Sequence, residues 1–197
     1  MSSIATSSAP LQICGMDVQD YLVKAEEFHG HLSPGVAMGG FLVDAAWRVL
    51  GPTPYLNAVV ETVVCLPDAV QILTPCTLGN NFLQLLDWGK FALTLYDRET
   101  LKGARAWVNR QAVAAVPEVA GWFLRGAGGI VLPKDEVVKE IARRGPDLLL
   151  ARPVEMPAAL KPSEKVATGP CPACGESYPL RQGAACLACQ GQAYYRF

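Results

Sequence analysis

Residues 28–40 read FHGHLSPGVAMGG and hold both histidines of the protein, His29 and His31. Ser33 followed by Pro34 is a helix-start pattern, because serine caps free backbone N–H groups and proline needs no N–H in the first helical turn. His31 is therefore expected just outside the positive end of a helix, which is also a seat for an anionic ligand. This stretch predicts a metal or small-molecule site. The alternative interpretation is a pair of ordinary loop histidines beside a turn.

The segments on either side of this stretch predict two helices. Residues 17–28 have apolar side chains at helical spacing, with Asp17 as the cap. Residues 34–50 are apolar nearly all round, which is typical of a helix buried in a domain or at a subunit contact. The glycines and alanines of this second helix leave room for close packing, and Gly51-Pro52 ends it.

The middle of the chain predicts a sheet. Strands are expected at 56–66, 82–86, 91–96, 104–108 and 152–156, and their close spacing favours an antiparallel meander. Short helices are expected at 69–73, at 117–124 before a glycine-rich end, and at 133–144. The predicted fold class is α+β, a mainly antiparallel sheet packed with helices, plus a small C-terminal zinc-finger module.

Composition divides the chain into four predicted parts. Residues 1–14 are expected to be a flexible tail, 15–157 the α+β core domain, 158–169 a linker rich in proline, alanine and lysine, and 170–197 a four-cysteine zinc finger of treble-clef or ribbon type. The 197-residue length suits one ordinary domain plus such a module.

Two CxxC pairs near the C-terminus predict a structural zinc site. Cys171 and Cys174 are separated from Cys186 and Cys189 by eleven residues. Four thiolates presented as two loops match tetrahedral zinc and leave no open position for a substrate. A tail this short buries little core, so metal binding would supply most of its folding energy. The alternatives are two disulfides or a redox CxxC pair.

Charge and hydropathy narrow the function classes. The net charge is −1 and only Arg181 and Arg196 are basic after Cys171, so nucleic-acid binding is not expected. The N-terminus has no signal-peptide pattern and the longest apolar stretch is too short to span a bilayer, which predicts a cytoplasmic protein without a membrane partner. The apolar 34–50 helix favours a homodimer.

The motifs together resemble one known family. FHGHLSPG is similar to the signature of the family of the E subunit of formylmethanofuran dehydrogenase, and the similarity continues through VQILTPCTLGN at 70–80, DWGK at 87–90 and the two-CxxC module. The resemblance implies an accessory protein of one-carbon metabolism that associates with a dehydrogenase complex. Ser33 stands where the family commonly has cysteine, so a thiol-dependent role does not transfer at that position.

The resemblance also places the HGH and Cys-Thr segments together in a core site. His29, His31 and Cys76, with Cys65 as a weaker candidate, would supply two imidazoles and a thiolate to a second divalent metal, leaving a position open. His29 and His31 are also candidate catalytic residues, and Lys90, ahead of Asp87, is a candidate for substrate binding or proton transfer. The alternatives are a buried inert thiol at Cys76 and a solvated surface turn at 87–90.

Two functional hypotheses follow. The chain has no pterin-cofactor, Rossmann or iron–sulfur pattern, so an enzymatic role would be metal-assisted hydrolysis, acyl transfer or proton transfer. The other hypothesis is a non-catalytic metal- or ligand-binding module that docks a partner through its zinc finger. An enzyme requires a metal position beside a concave pocket, whereas a docking module can have closed-off histidines.

Overall fold

The structure is a computed structural model that describes residues 11–124, 130–160 and 165–196. The described chain forms two compact units that divide after Leu160. The first 10 residues of the predicted tail, the glycine-rich end at 125–129 and residues 161–164 of the predicted linker lie outside the described residues.

The first unit contains six α-helices, one 3-10 helix (Gly145–Leu148) and seven strands within its described residues. The helices are α1 (Val18–His29), α2 (Pro34–Leu50), α3 (Leu66–Leu73), α4 (Arg110–Ala114), α5 (Pro117–Phe123) and α6 (Lys134–Arg144). The strands are β1 (Gln12–Ile13), β2 (Met16–Asp17), β3 (Leu56–Val60), β4 (Leu83–Leu85), β5 (Ala92–Asp97), β6 (Lys102–Val108) and β7 (Leu149–Glu155).

A five-stranded sheet in the order β4-β3-β5-β6-β7 is the framework of this unit. β3, β5, β6 and β7 pair antiparallel, which confirms the α+β class with a mainly antiparallel sheet. β4 instead pairs parallel with β3, so the expected meander is wrong at that edge. The strand expected over 56–66 ends at Val60, and α3 already begins at Leu66.

Helix α2 is the centre of the core, as its sequence predicts. Twelve of its 17 residues are buried, and it packs on β5, β6 and β7 and against α1, α3 and α6. The apolar surface of α2 is therefore already buried by other elements of the first unit. The apolar character of this helix no longer supports the predicted homodimer, which stays a prediction.

The start of the described chain is more ordered than expected. β1 and β2 form a small hairpin, Ile13 is fully buried, and the Cys14 N–H donates to Asp44 on α2 at 2.8 Å. The predicted tail of residues 1–14 is therefore wrong for residues 12–14, because one buried isoleucine and one hydrogen bond from the Cys14 N–H to the Asp44 carboxylate attach them to α2.

The second unit contains a two-stranded antiparallel sheet, β8 (Thr168–Pro170) with β9 (Ser177–Pro179), and short helical turns. Its small core consists of Cys171, Tyr178 and Cys186. Within the described part of the chain, no helix combines the length and apolarity needed to cross a membrane.

Candidate metal centres

The two histidines lie in a tight connection between α1 and α2. α1 ends at His29, and Gly30 adopts the left-handed conformation (φ 83°) that lets its N–H reach the Glu26 carbonyl. α2 begins after Ser33, whose Oγ accepts from the Val36 N–H at 3.2 Å, with Pro34 in the first turn. The predicted cap is confirmed. The connection leaves the imidazole rings of His29 and His31 with centroids 4.8 Å apart.

Asp68, in the first turn of α3, contacts His29. Its Oδ2 lies 2.6 Å from His29 Nδ1, and the His29 side chain is only 14% exposed. A carboxylate on one ring nitrogen fixes the imidazole tautomer and directs the other nitrogen, Nε2, toward a ligand. Sequence reasoning missed Asp68, because 39 residues separate it from His29 and no local pattern connects them.

Cys65 occupies a strained turn at the start of α3. Its backbone has φ 56° and ψ −50°, and the Leu66 N–H donates to the Val64 carbonyl at 2.6 Å, which closes a γ-turn around it. Its Sγ lies 3.5 Å from Ser33 Oγ. The side chain of Cys65 at the start of α3 therefore contacts the side chain of Ser33, which caps α2. Cys65 precedes Asp68 by three residues.

Gly35 and Trp122 complete the surroundings of this thiol. A Cβ added to Gly35 would lie 2.7 Å from Cys65 Sγ and 3.1 Å from Cη2 of Trp122. An alanine at this position would therefore force the Cys65 side chain to shift and the indole edge to give way slightly.

His31 faces an open groove. It is exposed and lines a cavity of about 820 Å³ together with Glu26, Leu32, Lys134 and Asp135. This groove lies between the end of α1 and the start of α6. A ligand bound at the imidazole of His31 would have space beside it.

Cys76 does not join the histidines. Its side chain is fully buried, its Sγ lies 3.5 Å from the Leu56 carbonyl as a donor, and burial raises the pKa of its thiol. Among the described residues, the one group of three or more histidine, cysteine or acidic side chains close enough to hold a metal is the four-cysteine cluster. The predicted set of His29, His31 and Cys76 therefore does not form, because the Cys76 side chain packs into the core.

The DWGK segment forms an exposed turn. The backbone N–H groups of Trp88 and Lys90 both donate to the Glu61 carbonyl, at 3.2 and 3.0 Å. The Lys90 ammonium lies 5.4 Å from the centre of the Trp88 ring, and Asp87 is exposed. No described contact joins the Lys90 side chain to the histidines.

The four finger cysteines do come together. Their sulfur atoms all lie within 4.8 Å of one another. Backbone N–H groups of Cys186 and Cys174 lower the pKa of Cys171 to about 6, whereas hydrogen bonds with neighbouring thiols raise the pKa of Cys189 to about 12. Thiols this crowded cannot all ionise without a cation between them, so the donor set fits a tetrahedral metal ion.

Fold and site together define a metal-binding α+β protein with a C-terminal finger. The family model described as "FmdE, Molybdenum formylmethanofuran dehydrogenase operon" matches residues 28–156, and a second, "FmdE treble clef zinc finger", matches residues 162–196. The chain belongs to the FmdE family. The treble-clef match and the clustered thiols support a structural zinc in the finger.

A solved structure and a curated protein are similar to this chain. The crystal structure of a protein from Syntrophus aciditrophicus that is similar to the E subunit (FmdE) of tungsten formylmethanofuran dehydrogenase matches with a TM-score of 0.84 and 39% identity, covering 96% of this chain and 100% of that one. A probable S-adenosyl-L-methionine-binding protein of Archaeoglobus fulgidus is 44% identical over 100 residues. That match covers 47% of this chain, which spans 27% of the relative's length.

Proposed function

We propose that the junction of α1, α2 and α3 is a second metal site that holds a divalent ion with an exchangeable small ligand. His29 and His31 are its imidazole ligands, and Asp68 positions His29. The observation that carries the proposal is the 2.6 Å contact between His29 Nδ1 and Asp68 Oδ2, the arrangement in which metal-binding histidines are usually held.

Cys65, rather than Cys76, is the candidate thiol of this site, and its side chain would have to reorient to join the two imidazoles, because these side chains as they stand are not grouped closely enough to hold a metal. Cys65 is partly exposed and starts the helix that carries Asp68, whereas Cys76 is buried and bonded to a backbone carbonyl. Two imidazoles and one thiolate suit zinc and neighbouring first-row metals. Such an ion supplies Lewis-acid chemistry or a ligand-exchange position.

The groove beside His31 supports the enzymatic hypothesis over a closed docking module. The exposed imidazole lines a concave space that a small molecule can enter. Lys90 stays outside this proposal, because its described contact is with Trp88. The names of the relatives support a role alongside a formylmethanofuran dehydrogenase, either as an accessory enzyme or as a metal-delivery module docked through the finger.

Metal content per chain tests the site. The wild type is expected to bind two ions, and His31→Ala to retain one. Asp68→Asn should lower the affinity for the second ion by about 10- to 100-fold, because it removes the carboxylate that orients His29. Asp20→Asn is the matched control, since it removes a carboxylate from the exposed first turn of α1. A wild-type chain that binds one ion, lost only when finger cysteines are replaced, refutes the second site.

A further inference from the structure

The groove beside His31 is bordered by opposite ends of two helices. α1 ends at His29, and α6 begins at Lys134. Because the peptide dipoles of a helix align with its axis, the last turn of α1 carries partial negative charge and the first turn of α6 partial positive charge. One border of the groove therefore favours a cationic group, and the other favours an anionic group.

One charged side chain on each border has the same polarity as its helix end. Glu26, in the last turn of α1, and Lys134, the first residue of α6, both line the cavity of about 820 Å³. Within the described residues, neither side chain forms an ion pair. The other acidic residue of the lining, Asp135, already pairs with Lys139 at 3.2 Å. Glu26 and Lys134 are therefore the two charges in the groove that a ligand can neutralise.

The backbone at the start of α6 adds a hydrogen-bond donor to the anion-favouring border. Pro133 precedes this helix and provides no side-chain cap. Among the described residues, no acceptor bonds the Lys134 N–H. A free N–H group at a helix start can donate to an anionic ligand. The ammonium and the backbone N–H of Lys134 can therefore serve the same anionic group.

We infer that the ligand of this groove is a small zwitterion, a molecule that carries one ammonium and one carboxylate group. Its ammonium pairs with Glu26, and its carboxylate pairs with Lys134. The inference rests on the proposed function, because it names the class of ligand for the groove beside His31. A molecule with only one of these charges leaves Glu26 or Lys134 without a partner, so the two borders together select against it.

A nuclear magnetic resonance titration of the full chain tests the inference. The chain has two histidines, so isotope-labelled histidine gives two sets of ring signals, and His31→Ala assigns them. The probe is 6-aminohexanoate, whose flexible methylene chain spans a range of charge separations. Hexanoate lacks the ammonium and hexylamine lacks the carboxylate. At neutral pH and low salt, the zwitterion should shift the His31 signals and bind about two- to fivefold more tightly than either analogue, the size of one exposed charge pair.

Two variants should each abolish one of these preferences. Glu26→Gln removes the partner of the ammonium, so 6-aminohexanoate should bind no more tightly than hexanoate. Lys134→Gln should likewise reduce its affinity to that of hexylamine. Both residues are exposed, so neither substitution removes a core contact. Glu27→Gln and Lys24→Gln are the matched controls, since these exposed residues of α1 line a different cavity, between α1 and α3.

Three results would each overturn the inference: equal affinities of the wild type for the three probes, His31 signals that 6-aminohexanoate does not shift, or preferences that both variants retain. A metal count on the same samples separates it from the proposed function. Two bound ions without a preference for the zwitterion reject only the ligand class. One bound ion, with a preference that Glu26→Gln and Lys134→Gln abolish, rejects only the metal site.

Discussion

Replacing Gly40 with alanine should destabilise the first unit although alanine is the better helix former. Gly40 lies in α2 against the Tyr21 ring of α1, and an added Cβ would be 2.4 Å from Cε1 and 2.5 Å from Cζ of that ring. The ring is fully buried, and its hydroxyl donates to the Val36 carbonyl at 2.6 Å, so it cannot withdraw without losing a hydrogen bond.

The opposing contributions can be compared. Alanine gains about 1 kcal/mol in helix propensity. Overpacking costs about 1–3 kcal/mol and loss of the hydrogen bond about 1 kcal/mol. The expected result is a net decrease of about 1–3 kcal/mol in the free energy of unfolding.

Urea unfolding followed by far-ultraviolet circular dichroism measures this change, because the described α-helices belong to the first unit. The control is the same substitution in a Tyr21→Leu background, where the clash is removed and alanine should be neutral or stabilising. A Gly40→Ala single variant that is more stable than the wild type would show that propensity outweighs packing here and that the close approach of α1 and α2 is wrong.

Three further outcomes are expected. Arg105→Ala should cost about 3–5 kcal/mol in urea unfolding, because Arg105 pairs through two 2.7 Å hydrogen bonds with the buried Glu61 carboxylate, and Arg105→Lys should recover only part of this. Asp97→Asn should lower the melting temperature at neutral pH. Hydrogen bonds from Thr53 and the Thr100 N–H lower the pKa of Asp97 in the folded protein. The ionised carboxylate therefore stabilises the fold above the pKa of Asp97 in the unfolded chain, and this stabilisation is lost as the pH falls through its pKa in the folded protein. A higher melting temperature of the wild type that persists at strongly acidic pH contradicts the prediction. Light scattering at micromolar concentration should give the mass of a homodimer, and a monomer mass would reject that prediction.

The features predicted correctly from the sequence are those with local signals. α2 begins and ends where Ser33-Pro34 and Gly51-Pro52 place it, because caps and breakers act within a few residues. The finger ligands cluster as the paired CxxC spacing predicts, because each pair brings two thiols to one turn.

The errors arise from contacts between distant segments. β4 and β5 are close in sequence, which favoured a hairpin, yet the turn between them bonds to the Glu61 carbonyl at the end of β3 and delivers β5 to the other side of that strand. The expected meeting of Cys76 with the histidines fails for a related reason. Cys65 and Cys76 stand near opposite ends of α3, and tertiary packing buries Cys76.

The γ-turn at Cys65 gives one residue two conflicting requirements. Its backbone conformation favours glycine, whereas the proposed metal site uses the cysteine thiol. A non-glycine residue with this backbone conformation costs about 1–3 kcal/mol, and glycine would adopt it freely. Selection for a more stable chain would therefore favour glycine at position 65 and discard the thiol. The proposed metal site gives a reason to keep a cysteine there, and laboratory evolution for thermostability without a functional screen should remove it early.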